Sequence, residues 1–590
     1  MNLKNERRYL KKEKENSNRS TNKKIYKIEM CKISKTLKYF FLVNICQLAI
    51  EFVFTTTCVY KLDYIYDKQT TVDATTLPYL SFKQPSILGS ILTQLIAGAI
   101  SDRITNKFGR RKTIMVIGCC IFVFFFSLST IWISLPLNQN IIDYLNRNVP
   151  KSENNSIDVS GGREETDWIW FNGINRIFVF FSTIGINMIQ VAYKAFIMDE
   201  FDSEYQTQVY TMSPFVGSLS LVVCSFFRSV VTLILLLIHL FMSESNETID
   251  GTLFPIYYLI LQIISIALVV ITVFIFCKIA METQHIDDDR SFTNGNLWKK
   301  TKIISKDIWK MLTTNNHHII SIFINTIIGY LTLFSIDHLL SSCSNFAFVS
   351  PNSDSDSKSN IVYESIENLS FSFMRLCNAV AMMIISILII RCNKNTEKMF
   401  SISFIVNFIA VTLCFGICMF KDGNNLLVAD KTKLQWLQIV MFILILIPSV
   451  AKRFEYVLIN SVPYYLLRNV TPTNHFGVSI GYLNIGIALS QLCSQGLMIF
   501  VKISLGNSLI NNEKKLDNYS DIELDFIISR IIYVLALCFI GFVVSRLMRI
   551  RYVTHQQIDY ENFSMNTTEA PEMYGDDNDE NGEEKYLVSN

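Results

Sequence analysis

Twelve long apolar stretches recur along this chain, and they restrict its folding more than any other feature. A membrane-spanning helix needs about 20 mostly apolar residues, and on that rule the spans fall near 39–60, 85–100, 113–135, 168–198, 208–227 and 253–280. Six more lie near 317–340, 369–390, 399–420, 434–460, 476–501 and 526–548. In hydrocarbon the backbone must satisfy its own hydrogen bonds, so each stretch is predicted to be a helix and the fold all-α. The chain has 590 residues, of which 50% are hydrophobic and only 18% charged, too apolar a balance for an ordinary soluble protein of that length. The stretch 208–242 is too long for one span and carries Arg228, so its span is ended at 227 and the remainder is expected to be a tilted or interfacial extension.

Six spans precede a polar, charged segment at 281–316 and six follow it. The expected divisions are a basic tail at 1–38, a six-helix half at 39–280, the central loop at 281–316, a second half at 317–549 and an acidic, disordered tail at 550–590. No short apolar core with a cleavage site is visible near the start, so the first span is expected to insert as a signal anchor. An even number of spans puts both termini on one side. That side collects roughly thirty Lys and Arg against about a dozen on the other, so both termini and the central loop are expected in the cytoplasm. The net charge of +2 only sums a basic front against an acidic end and points to no nucleic-acid partner. Most of the 14 cysteines lie inside apolar runs without a C-x-x-C pair, and only Cys343 falls in an expected outer loop, so free thiols are expected. Asn154, Asn246 and Asn518 begin sequons in expected outer loops and are the glycosylation candidates.

The turn between the second and third spans, SDRITNKFGRRK, places five cations between two hydrophobic helices, with Gly109 permitting a sharp reversal. It resembles the G-x-x-x-D-R-x-G-R-R/K signature of major facilitator transporters. The wider form here, S-D-R-x-x-x-x-F-G-R-R-K preceded by L-G-x-x-L-T-x-x-x-x-G, looks like plant sucrose transporters and, more closely, their animal relatives, the proton-associated sugar transporters. That group is of the glycoside-pentoside-hexuronide cation symporter type. The resemblance implies a major facilitator fold of two pseudo-symmetric halves, with Asp102, Arg103, Gly109, Arg110 and Arg111 forming the gating motif.

Ionisable groups inside spans are costly unless they face a cavity or a partner, so each is a functional candidate. Glu51 sits in the first span with no cation on its own helix. A carboxyl buried there is a candidate to carry the coupled proton, and the resemblance places a glutamate at the matching point of the first helix. Lys194, a little over one turn before Asp199, stands where the family has an arginine, and the resemblance assigns that cation and acid to substrate binding and coupling. Asp337 matches an acidic position of the seventh helix and joins the coupling set. Asn484 and Gln491 stand at polar positions of the eleventh helix, and uncharged amides suit hydroxyl recognition. Lys452, Arg453 and Glu455 form a further cluster, which either lines the cavity or marks a tenth span displaced toward the cytoplasm. Lys452 and Glu455 share a helix face and are able to pair.

The sequence therefore predicts a secondary transporter, a proton-coupled symporter of a sugar such as sucrose or a hexose. The alternatives are a uniporter or symporter of another small solute, or a non-transporting sensor or scaffold on the same fold. No phosphate-cradling loop or metal-ligand spacing is visible, so neither an enzyme nor a metal or organic cofactor is expected, and the proton is the coupling ion. The expected surroundings are a lipid bilayer, of the plasma membrane or an acidic organelle, and a monomeric state.

Overall fold

The computed structural model describes residues 36–56, 77–104, 108–147, 161–241, 247–280, 302, 306, 317–348, 357–391, 396–416, 431–471, 475–510 and 527–549. Asn154, Asn246 and Asn518, and most of the tails and the central loop, lie outside these residues.

Among the described residues twelve long helices follow one another, one for each apolar stretch. In the first half they are α1 (Thr36–Thr55), α2 (Leu77–Arg103), α3 (Arg110–Arg147), α4 (Gly161–Glu200), α5 (Ser203–Phe241) and α6 (Glu247–Ile279). In the second half they are α7 (His317–Phe348), α8 (Ser357–Arg391), α9 (Thr396–Gly416), α10 (Lys431–Ile459), α11 (Phe476–Ile510) and α12 (Ile527–Arg549). After α10 the chain breaks for one turn and resumes as the short helix Val462–Val470, which starts with Pro463 near its N-terminus. Ten of the twelve are long and apolar enough by composition to cross a membrane; α2 and α10 complete the set by their place in the series.

The sequence boundary inside 208–242 is corrected here, because α5 continues as one helix through Arg228 to Phe241. Arg228 is 8% exposed and sits within the bundle rather than at a surface break. Cys343 is likewise corrected, being buried inside α7 rather than placed in an outer loop. The ten cysteines among the described residues are all free thiols.

Helix pairing shows how the halves are related. In the first half α3 packs on α4, α2 on α4, and α1 on α5; in the second, α9 packs on α10, α8 on α10, and α7 on α11. Advancing each number by six converts one set into the other, as internal duplication requires. The same operation exchanges the two long contacts between halves, α2 with α11 and α5 with α8. The chain is thus an all-α polytopic membrane protein of twelve helices in two pseudo-symmetric halves, the architecture of the major facilitator fold.

Polarity is distributed as a lipid-solvated bundle demands. Leu88, Leu92 and Ile96 form an outward stripe on α2 at helical spacing, and Ile263, Val270 and Phe274 are exposed on α6. Asn44, Gln47, Gln94, Asn187, Lys194, Asn407, Glu455 and Asn484 are buried instead. Polar groups in hydrocarbon are expensive, so their concentration between helices marks the axis of the molecule as the place to look for function.

Candidate functional site

The expected gating motif assembles at the end of the bundle where α2 gives way to α3. Gly109 adopts φ 105°, a conformation that side-chain-bearing residues rarely enter, and so lets the chain reverse before Arg110. Arg111, whose side chain is fully buried, donates through Nε to Asp199 Oδ2 at 2.7 Å and pairs through Nη2 with Asp102 Oδ1 at 2.7 Å. Its Nη1 donates to the hydroxyl of Ser101. Arg110 pairs with Asp199 Oδ1 at 2.9 Å. Two cations thus meet two carboxylates, and the buried cluster is neutral as a whole, which makes its burial tolerable. Arg103 closes α2 beside this cluster.

Asp102 also reaches the other half. Its carboxylate accepts the backbone N–H of Gly477 at 2.9 Å and of Val478 at 3.0 Å, in the first turn of α11. Those N–H groups have no partner within their own helix, and the helix N-terminus carries partial positive charge, so a carboxylate there is strongly favoured. The backbones come together because no side chain separates them: a Cβ on Gly98 would lie 2.2 Å from the Gly477 carbonyl oxygen, and one on Gly481 would lie 2.3 Å from that of Gln94. Small residues spaced four apart allow this kind of approach between membrane helices. At the basic-turn end, therefore, α2 and α11 are closed against each other.

About 8 Å further along the axis, judged from five residues of helix rise, Lys194 is 2% exposed. It does not meet Asp199, which the arginines occupy. Its ammonium donates to the hydroxyl of Tyr464 at 2.7 Å and lies 4.1 Å from the centre of that ring. Tyr464 donates onward to Asn484 Oδ1 at 2.5 Å, and Asn484 Nδ2 donates to Gln94 Oε1 at 2.9 Å. Gln94 then donates to Asn187 Oδ1, and Asn187 to Ser90 Oγ at 2.9 Å. The chain of donors runs in one direction and crosses between the halves twice. Tyr210 stacks on Tyr464 across the same boundary, 5.2 Å between ring centres. Both the oxygen and the nitrogen of the Asn484 amide are engaged by protein partners in this conformation. Gln491, two turns along α11, is half-buried and makes no hydrogen bond to the described residues.

Glu51 stands above this layer on α1. Its Oε1 accepts from Gln47 Nε2 at 2.8 Å and from the Tyr456 hydroxyl at 2.7 Å, the second bond crossing from α10 in the opposite half. Tyr193 donates to Gln47 Oε1 and so braces the amide that holds the carboxylate. No cation among the described residues pairs directly with Glu51. Lys194 is the cation whose field it shares.

In the second half, Asp337 on α7 is paired with Lys452 on α10. The Asp337 side chain is 55% accessible while that of Lys452 is 4% accessible, so the pair sits at the edge of an open space. The i, i+3 pairing between Lys452 and Glu455 that their spacing allows does not form. Glu455 turns the other way and accepts from Asn407 Nδ2 on α9. Arg453 lies over the Tyr456 ring, 5.9 Å from its centre. Lys452 and Glu455 are buried within α10, and Arg453 is half-buried.

Sequence reasoning missed Tyr464, Gln94, Asn187, Tyr456, Tyr193 and Asn407. Gln94, Asn187 and Asn407 had a readable signal, a lone amide inside an apolar run. Tyr193 and Tyr456 had none, because tyrosine is ordinary in membrane helices.

No protein-family model matches the chain, and no curated protein matches it in sequence. Among solved structures it is similar to a bacterial homologue of the iron transporter ferroportin in the outward-facing state, with a TM-score of 0.49 and 10% identity over 88% of this chain and 99% of that one. The fucose transporter FucP from E. coli, a Major Facilitator Superfamily member in the outward conformation, gives a TM-score of 0.49 and 10% identity over 86% and 98% of the two chains. The human organic anion transporter MFSD10 gives 0.47 and 11% over 86% and 98%. The functional reading is carried by the chain's own side chains.

Proposed function

We propose that this protein is a secondary active transporter that moves a sugar, sucrose or a hexose, together with a proton by alternating access, with its basic-turn end toward the cytoplasm. The observation that carries the reading is the hydrogen bond from Tyr456 of one half to Glu51 of the other. A hydrogen bond to an ionised carboxylate is about twice as strong as one between neutral groups. Adding a proton to Glu51 therefore weakens a tie between the halves. The same proton removes the negative charge whose field reaches Lys194, whose ammonium keeps N–H groups beyond its bond to Tyr464 to offer a sugar hydroxyl. Proton binding, cargo binding and the relation of the halves then share one set of contacts, which is what symport by alternating access needs. Tyr193, Tyr456, Gln47 and Asn460 supply hydroxyl and amide groups of the kind that recognise polyhydroxylated ligands.

The test is uptake of labelled sucrose, glucose and galactose by a host lacking sugar uptake, at acidic and neutral outside pH, with and without a protonophore. Wild type should accumulate at least one sugar in a protonophore-sensitive way. Glu51→Gln should lose uphill accumulation by on the order of tenfold or more while keeping downhill exchange. Tyr456→Phe should weaken coupling without abolishing flux. Surface-localised protein that carries none of these sugars at either pH would overturn the sugar reading, and accumulation indifferent to the protonophore would overturn the coupling.

A further inference from the structure

Glu455 takes part in none of the contacts used so far except its bond to Asn407. Its side chain is fully buried on α10. Three helices pack around it. Gly329 of α7 leaves room beside it, since a Cβ there would lie 3.6 Å from Glu455 Oε1. Asn407 comes from α9, and α12 brings the Cys538 thiol near enough to feel its charge. On its own helix, Lys452 is taken by Asp337 and Arg453 lies over Tyr456. On α7, the neighbouring Tyr330 hydroxyl is spent on Asn460 Oδ1 at 3.0 Å.

The balance of donors and acceptors at this pair is incomplete in a specific way. Asn407 Nδ2 donates to Glu455 Oε2, while Glu455 Oε1 and Asn407 Oδ1 are both buried with no hydrogen-bond partner. The two orphans are both acceptors, one on each member of the pair, and the missing component is a donor. An ionised carboxylate in such a place, with one amide N–H and no paired cation, is among the costliest arrangements a protein interior can hold. A single proton on Glu455 supplies the donor. Its O–H bonds to the amide oxygen while the amide N–H bonds to the acid carbonyl, the two-bond ring of a carboxylic acid and a primary amide, and both orphans are reduced to one shared contact.

We propose that Glu455 carries a proton in this conformation, closed at the basic-turn end, and forms with Asn407 a second proton-binding site, in the half opposite to Glu51. The proposal rests on the symport reading for its role, but the proton itself does not depend on transport. The Lys452 cation of the Asp337–Lys452 pair lies three residues from Glu455 on the same helix face. If Lys452 is released from Asp337, it is the group placed to take an ionised Glu455.

Infrared difference spectroscopy on the purified, lipid-reconstituted full chain tests this directly. Wild type at neutral pH should show a protonated-carboxyl C=O band that shifts slowly on exchange into heavy water, disappears in Glu455→Gln, survives in Glu51→Gln, and moves in frequency in Asn407→Leu. Glu455→Gln preserves shape and amide pairing, and the slow heavy-water shift in wild type needs no variant at all. Absence of any slowly exchanging carboxyl band in wild type, or its persistence unchanged in Glu455→Gln, would overturn the proposal. A band that behaves as expected in a protein that moves no sugar would uphold the Glu455 site and remove the symport reading instead.

Discussion

Arg111→Met should open the basic-turn end of the bundle, moving the balance between its closed and open forms by on the order of a hundredfold or more. Among the described residues Arg111 is the one side chain that touches both Asp102 and Asp199, and its own side chain is fully buried. Removing one partner from a buried ionic cluster costs about 3–5 kcal/mol, because the charges left behind remain desolvated. Here Asp102 would be left with the α11 N-terminus alone, and Asp199 with Arg110. Opening the end lets both carboxylates reach water, so the cost is relieved by changing conformation rather than by unfolding. The measurement is maleimide labelling of Val478→Cys, a position 2% exposed at the closed contact, read by peptide mass mapping. Labelling should be slow in the Arg111 background and fast with methionine. Arg111→Lys should fall between, since lysine keeps the charge but not the fork that spans two carboxylates. Equal labelling rates would show that this cluster does not hold the end shut.

Gly98→Ala should have an effect of similar size through sterics alone. The added methyl would meet the Gly477 carbonyl oxygen at 2.2 Å, and that obstacle is backbone, which cannot turn aside as a side chain can. Overpacking of this kind costs typically 1–3 kcal/mol even where side chains yield. Gly481→Ala, against the Gln94 carbonyl at 2.3 Å, should behave alike. Gly496→Ala on the same helix is the control, because nothing lies within 4 Å of its added Cβ. Spin-label distances between the basic-turn ends of α2 and α11 should lengthen in the first two variants and stay unchanged in the third. Closed-state distances in Gly98→Ala would contradict the backbone contact on which the closed end depends.

The spans were readable from sequence because lipid imposes a single rule, about 20 apolar residues per crossing, and the charged turn was readable because its cations had nowhere else to lie. The run-on of α5 past Arg228 was not, since helix continuation there depends on Arg228 being buried among neighbours rather than on local hydropathy. At the site, Glu51, Lys194, Asp337 and the Lys452 to Glu455 cluster stood out as charges in apolar runs. Their partners did not. Lys194 finds Tyr464 at a separation of 270 residues and Glu51 finds Tyr456 at 405, pairings fixed by which faces of two halves meet. The resemblance joined Lys194 to Asp199 in one role and short spacing suggested Lys452 with Glu455, yet a residue from another helix takes one member of each: Arg111 takes Asp199 and Asp337 takes Lys452.

The most direct test of the account is sugar-evoked proton entry into liposomes holding the purified protein and an internal pH dye. With no imposed gradient, adding the sugar that wild type accumulates should acidify the lumen, and Glu51→Gln should carry the sugar inward without acidification. Sugar entry in wild type with no change in internal pH, or an undiminished acidification in Glu51→Gln, would contradict the claim that cargo and proton move together through the contact between Glu51 and Tyr456.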